Sequence, residues 1–380
     1  MSTNFPLYRY YIKGSLELTT PMIIASGEDE VADLQCIRDH ENKLIIPGTS
    51  LAGVIRSYLQ QKLTKQNRLL LEDYFGSDDQ NSGHSLFVFH DAVANGDATD
   101  IRDGVALDNL TKTAKPQAKY DFETVREGTS FHFRMEMLIR ENNSNEKNKL
   151  EGMLHEIIRA FENGEVSLGA KTNRGLGRCK LRDPKVCRIA LRDDVDAWIN
   201  FEWENFDQNH LIQVADLATQ ENPNLFDSGS RLTITANFRI PDSLLIRSYS
   251  KDPKDVDMVM FESAGKPTIP GTSWNGAIRH ALENAGREMG CFDTMKKLLD
   301  DAFGFVNENS QAARASRIII HESEIQEGQA IPYVRNKVDR FTGGVVDGAL
   351  FDEKPVYGGS VEFKCELKDD EKWIRGLIYL

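Results

Sequence analysis

The sequence predicts an α+β chain in which one strand–helix–strand–strand–helix–strand module occurs twice, and three observations carry that expectation. First, IIPGTSLAGVIRSYLQ at 45–60 returns as TIPGTSWNGAIRHALE at 268–283. Pro47, Gly48, Thr49, Ser50, Gly53, Ile55 and Arg56 recur as Pro270, Gly271, Thr272, Ser273, Gly276, Ile278 and Arg279, all at one constant separation, which marks a duplicated domain. Second, SFHFRMEM at 130–137 returns as SVEFKCEL at 360–367, an alternating strand each time. Third, the apolar spacing switches between the strand and helix periods in the same order along both copies.

In the first copy, residues 8–20 alternate around Tyr11, Gly14, Leu16 and Leu18 and predict a strand. Residues 23–42 hold turn formers and no period, an excursion that leaves and re-enters the core. Pro47-Gly48 then predicts a tight turn, and Thr49 or Ser50 offers a hydroxyl to the open amides of a helix start. Leu51, Val54, Ile55, Tyr58, Leu59 and Leu63 keep the i, i+3, i+4, i+7 rhythm of a half-buried helix reaching about residue 66. A polar loop around Tyr74-Phe75-Gly76 leads to a buried strand at 86–93. Residues 95–127 have no helical period and are too many for an ordinary connection. With Lys112, Lys115 and Lys119 ahead of Tyr120 and Phe122, they predict an extended, projecting hairpin. A strand at 131–138 and a helix at 149–162, stopped by Asn163-Gly164, follow. SLGAKTNRGLGRCKL then forms a glycine-rich loop running into a last strand.

This order is the ferredoxin-like, or RRM-like, βαββαβ unit. The second copy repeats it with a strand at 231–240, an excursion at 246–266, a helix at 273–284 and a strand at 317–325 that sets His321 against His90. Its hairpin at 336–357 places Asp339, Thr342 and Phe351-Asp352 where Asp108, Thr111 and Tyr120-Asp121 stand in the first. A helix begins at about residue 370 and the sequence stops at Leu380, so the second copy is expected to lack its last strand. The expected organisation is a first domain at 1–190, an acidic connection at 191–228 that is helix-prone around 195–203, and an incomplete second domain at 229–380.

The net charge of −13 argues against loose nucleic-acid binding through the whole surface, while leaving room for a narrow basic track. Cys36, Cys179, Cys187, Cys291 and Cys365 are scattered without a CxxC pair, which speaks against a zinc ribbon or a disulfide framework and for a reducing compartment. No run of about 18 apolar residues and no signal peptide is visible, so a soluble, cytoplasmic protein without a membrane partner is expected. Glycine inside a helix costs about 1 kcal/mol relative to alanine, so the matched Gly53 and Gly276 suggest close approach to the backbone. A helix start with open amides and an arginine one to two turns later can cradle phosphate. An ordinary packed helix with a solvated arginine explains the same residues equally well.

The IPGTSxxGxIR helix start, the SLGAKTNRGLGR loop and the hairpin DRFTGGVVDGALFDEKPVYGG together resemble the RAMP superfamily of CRISPR-associated proteins, and most of all the backbone subunits of type III effector complexes. The resemblance covers nearly all of both copies and implies partners: guide RNA, target RNA and other subunits of such a complex. It implies that Ser50, Arg56, Lys171, Asn173 and Arg174, with Ser273 and Arg279 in the second copy, hold the guide backbone; the second copy has no counterpart to Lys171 or Arg174. It gives the thumb role, wedging into the guide–target duplex, to Lys112, Lys115 and Lys119 in one hairpin and to Arg340 and Thr342 in the other. It also implies a metal-dependent endoribonuclease. Asp33 and Asp257, in the excursions ahead of Pro47 and Pro270, would be the catalytic carboxylates and would bind a divalent metal, Mg2+ being expected, while Asp255 is a fallback for Asp257. The alternative is a catalytically inactive RNA-binding scaffold of the same kind of complex.

Overall fold

The computed structural model describes residues 4–25, 34–76, 84–107, 114–218, 225–227, 232–250, 256–307, 312–367, 374 and 376. The chain forms two compact units, 1–101 with 122–172 and 176–229, and 102–121 with 173–175 and 230–380. Most of the first hairpin and three residues of the glycine-rich loop thus belong to the second unit, and the connection belongs to the first.

The first unit contains β1 (Pro6–Leu18), α1 (Gly48–Lys62), β2 (Phe87–Phe89), the start of β3 (Thr99–Leu107), the end of β4 (Ala114–Val125), β5 (Ser130–Arg140), α2 (Lys147–Glu162), β6 (Cys179–Ala190) and β7 (Leu211–Ile212). Its sheet runs β2-β5-β1-β6-β7, all antiparallel, the ferredoxin-like arrangement with β1 and β5 in the middle. Alternation decides the faces. Tyr10, Ile12, Leu16, Phe131, Phe133, Met135 and Met137 point inward, where Leu51, Ile55 and Leu59 of α1 and Leu150, Leu154, Ile157, Ile158 and Phe161 of α2 cover them. The first helix ends at Lys62, four residues short of expectation, because Leu63 turns extended and bridges Phe226.

The connection does more than join. Among its described residues only Val195–Ile199 is α-helical; beyond it Phe201, Trp203 and Phe206 gather on the outer face of the first sheet, Phe201 stacking on Tyr11 at 3.6 Å between ring centres. Lys13 Nζ holds this segment down through the carbonyls of Trp203 and Glu204.

The second unit contains β8 (Leu232–Arg239), β9 (Arg247–Tyr249), β10 (Met258–Met260), β11 (Glu262–Ser263), β12 (Lys266–Ile269), α3 (Gly271–Glu288), α4 (Phe292–Phe303), β13 (Ile318–Ile320), β14 (Ser323–Gln326), β15 (Tyr333–Val338), β16 (Val345–Lys354) and β17 (Ser360–Leu367). β17 lies between β8 and the pair β13 and β14, with β12 and β11 beyond. Among the described residues no strand lies on the other edge of β8, the place β6 holds beside β1. The hairpin β15–β16 joins β9 and β10 in a separate four-stranded sheet. Sequence reading passed over α4, whose Met295, Leu299, Ala302 and Phe303 are buried. It ends at Gly304 with φ 78°, as the short helix Leu70–Phe75 ends at Gly76 with φ 83°.

Candidate nucleic-acid interface

The two helix starts are built alike, and the packing explains part of the repeated motif. Pro47 and Pro270 are the N-caps, and the next glycine is the first helical residue in both. A Cβ at Gly48 would stand 2.1 Å from the Phe89 carbonyl oxygen, and one at Gly271 would stand 2.5 Å from that of Ile320, so the neighbouring strand passes too close for any side chain. Neither helix is capped by its own threonine or serine as the sequence suggested. The Ser50 and Ser273 amides donate to Pro47 and Pro270, and both side chains are half-buried. The helical glycines differ from these: Gly53 and Gly276 are exposed, and a Cβ on either would meet no atom within 4 Å. Nothing inside either unit requires glycine there.

The electrostatics differ between the copies. In the first, Asp91 Oδ1 accepts the Gly48 amide at 2.7 Å and supplies the cap that sequence reading missed. Arg56 is half-buried and has no hydrogen bond or ion pair among the described residues. In the second, Glu322 occupies the position of Asp91 but is tied to the buried Arg102 at 2.7 Å; Arg102 also donates to Ser263 at 2.9 Å and lies over the Phe261 ring. Arg279 donates to the Gly304 carbonyl and to Asp300, and pairs with Glu283.

Arg174 also lies in the second unit. Gly175, at φ +84°, leaves only 2.9 Å between a would-be Cβ and His321 Cα, and the same would-be Cβ at Gly271 would lie 2.3 Å from the Arg174 carbonyl oxygen. The 173–175 segment, Asn173 included, is therefore laid across the start of α3. Burial, and then the charge of Arg279, push the Arg174 guanidinium below its usual range. Its Nη1 is buried without a hydrogen-bond partner among the described residues. Lys171 stays in the first unit in the left-handed region (φ 56°), its Nζ 3.7 Å from the centre of the Phe122 ring.

The strands of both hairpins form as expected, β3 pairing with β4 and β15 with β16, while the tip of the first, residues 108–113, lies outside the described residues. Lys112 lies outside the described residues, as does the side chain of Lys115. Lys119 is exposed but engaged, 3.4 Å from Asp103 and over the Tyr249 ring. Asp103 also hydrogen-bonds Asp121 and lifts that carboxyl above its ordinary range. In the second hairpin Arg340 is exposed, while the Thr342 amide and hydroxyl both donate to Asp339 and close the turn. Phe341 between them is 100% exposed, and Val334, Val338, Val345 and Leu350 are exposed along the strands. Sequence reading did not single out this apolar tip, because a phenylalanine among turn residues has no period to mark it.

Asp33 and Asp255 lie outside the described residues. Asp257 is exposed, and its Oδ2 accepts the Asp352 amide at 3.3 Å, which fixes it beside the outgoing strand of the second hairpin. The residue after it, Met258, pairs in parallel with Glu353. Leu34, the residue after Asp33, makes a parallel bridge to Phe122, the position matching Glu353 in the first hairpin. His90 and His321 likewise match: each bonds a glutamate on the neighbouring strand, Glu136 at 2.8 Å and Glu366 at 3.1 Å. Among the described residues no group of three or more His, Cys, Asp or Glu side chains could hold a metal ion. Among the described residues Asp257 offers one exposed carboxylate with one oxygen already bonded, a set that does not fit a resident metal.

Two units of ferredoxin-like strand order, each with a glycine-opened helix start, define a tandem protein of RRM-like build. The model of the family described as RAMPs, the RAMP superfamily, matches residues 15–180 and 237–380, and the chain belongs to that superfamily, as a CRISPR-associated RNA-binding subunit. No curated protein matches it. No helix among the described residues is long and apolar enough to cross a membrane.

Proposed function

We propose that the chain is a backbone subunit of a type III CRISPR effector complex that holds guide RNA and cuts the paired target RNA twice, using Asp33 in one copy and Asp257 in the other. The observation that carries this reading is the shared register: the residue after each aspartate pairs in parallel with the same position of its hairpin. Each carboxylate is thereby tied in sequence to the element that would bend the target strand. The open backbone at Gly53 and Gly276 supports the guide contact, since a phosphate can come up to the helix there at no steric cost. We assign the wedge of the second hairpin to Phe341, whose ring can enter between bases as charged neighbours cannot.

The chemistry asks for positioning. When the wedge splays a nucleotide, its 2′-oxygen comes into line with the adjacent phosphorus and the 5′-oxygen beyond. The new bond forms between O2′ and phosphorus as the bond from phosphorus to O5′ breaks. The carboxylate accepts the 2′-hydroxyl proton, and water returns one to the leaving oxygen.

The test is a size-resolved digest of guide-paired RNA by the assembled complex. Asp33→Ala should remove one cut and Asp257→Ala the other, each by at least about a hundredfold, with binding retained. Both single variants yielding the full set of fragments would sink the assignment. The exposure of Asp257 favours one other reading, an RNA-binding scaffold without activity, which an uncut target in wild-type complexes would establish.

A further inference from the structure

The outer face of the first sheet, turned away from α1 and α2, carries a cavity of about 560 Å3 that the guide contacts do not use. Lys13, Gly14 and Ser15 of β1, His132 and Arg134 of β5, and Lys185 of β6 line it together with Trp203. It exists because β6 bulges: Lys13 faces Lys185 and Ser15 faces Arg182, so Asp183 and Pro184 together oppose the single Gly14. Asp183 takes φ 49°, a left-handed conformation costly for a residue other than glycine. Bulges of this kind re-aim side chains and gather near binding sites. Here the bulge lowers the floor, and the pinned Trp203–Glu204 segment raises one wall.

The wall is aromatic and the rim basic. The Arg134 guanidinium lies 5.5 Å from the Trp203 ring centre, and Tyr11 meets that ring edge-on at 5.5 Å. Lys185 is exposed and has no partner among the described residues. Burial and the charge of Lys185 hold the Lys13 ammonium below its ordinary range, the condition an incoming anion relieves. Three cations against Asp183 and Glu204 leave the rim positive in a chain of net charge −13.

We propose that this cavity binds a nucleoside 5′-phosphate, the base against Trp203 and the phosphate among Lys13, Arg134 and Lys185. The volume suits a ligand of that size and is far more than an inorganic anion fills. An aromatic platform inside a basic groove is also how single-stranded nucleic acid is held without reading its sequence. The second copy is an internal control: at the positions of Tyr11, Lys13, His132 and Arg134 it carries Thr233, Thr235, Glu362 and Lys364, and among the described residues no strand stands beside β8 in the place of β6, which carries the bulge. One site per chain follows.

Calorimetry on the full chain tests this, using UMP, AMP, inorganic phosphate, tetrauridylate and a tetraglutamate peptide as probes. UMP or AMP should bind at one site per chain, at least about tenfold more tightly than phosphate alone. Lys185→Glu, at an exposed position, should weaken binding about tenfold, while Lys65→Glu, outside the cavity, should leave it unchanged. Trp203→Leu should weaken it further and abolish any nucleotide-dependent change in tryptophan fluorescence. Tetrauridylate binding more tightly than UMP would identify the ligand as a nucleotide within a strand, and equal affinities would identify a free nucleotide. The proposal is overturned if neither mononucleotide binds at millimolar concentration, if Lys185→Glu binds as wild type does, or if tetraglutamate matches tetrauridylate, which would make this a protein-docking surface.

Discussion

The two helix starts share a backbone and differ in charge. At α1 the Asp91 carboxylate takes the first amide, so the positive end of the helix already carries an anion, and Arg56 is left to act alone. At α3 the corresponding acid, Glu322, is turned onto Arg102, and the glycine-rich loop lays Arg174 beside Arg279. Duplication kept the backbone of the helix start and let the surrounding charges drift, so the second start is the more positive. By sequence alone the second copy looked the poorer, since it has no arginine of its own to match Arg174. The structure supplies Arg174 itself.

The largest effect should come from cutting the tie that frees α3 of its acid. Arg102 is 7% exposed, and Arg102→Ala strands Glu322 and Ser263 in a buried place. Leaving one member of such a pair costs roughly 3–5 kcal/mol, so the second unit should melt well before the first in denaturant. The double variant Arg102→Ala, Glu322→Gln should recover much of the loss. A single variant costing less than about 1 kcal/mol would show that this pair is no anchor.

Next comes the RNA itself. Arg174→Ala should weaken binding of a guide-length RNA about tenfold and reduce the slope of log affinity against log salt by roughly one, as expected when one phosphate is no longer neutralised by the protein. Arg56→Ala should weaken it about threefold, because Asp91 already reduces the local potential. Filter binding across a salt series measures both. If Arg56→Ala costs more than Arg174→Ala, the ranking of the two starts is reversed and the electrostatic comparison fails.

How much of this was legible in the residues depends on the range over which each feature is determined. The duplication, the strands and α2 follow from local periodicity, and Asn163-Gly164 stopped α2 where the structure stops it. The end of α1 was not legible, because Phe226, far along the chain, captures Leu63. Helix α4 was, since Met295, Leu299 and Ala302 keep helical spacing, although the polar loop expected around Tyr74-Phe75-Gly76 in the first copy gave no cue to it. The site divides the same way. Pro47-Gly48 and Gly53 announce a helix start, but Asp91 as its cap, Arg174 at the other copy and the Phe341 tip are tertiary facts. So is the Asp183 bulge, since any strand with Asp-Pro in it reads only as interrupted.

The smallest prediction isolates the charge difference most cleanly. Asp91→Asn keeps an oxygen that can accept the Gly48 amide and removes only the negative charge, so α1 should keep its start and become a better anion site. A charge of this kind at a helix N-terminus is worth about 0.3–1 kcal/mol, which predicts guide RNA binding tightened about two- to fivefold at low salt, with the gain fading as salt rises. Glu322→Gln at the matching position should give no such gain, because the Glu322 charge is already neutralised by Arg102 in the folded unit; its cost should appear as lost stability. Were both variants to tighten binding equally, Arg102 would not be shielding α3, and the two helix starts would be electrically the same despite their different partners.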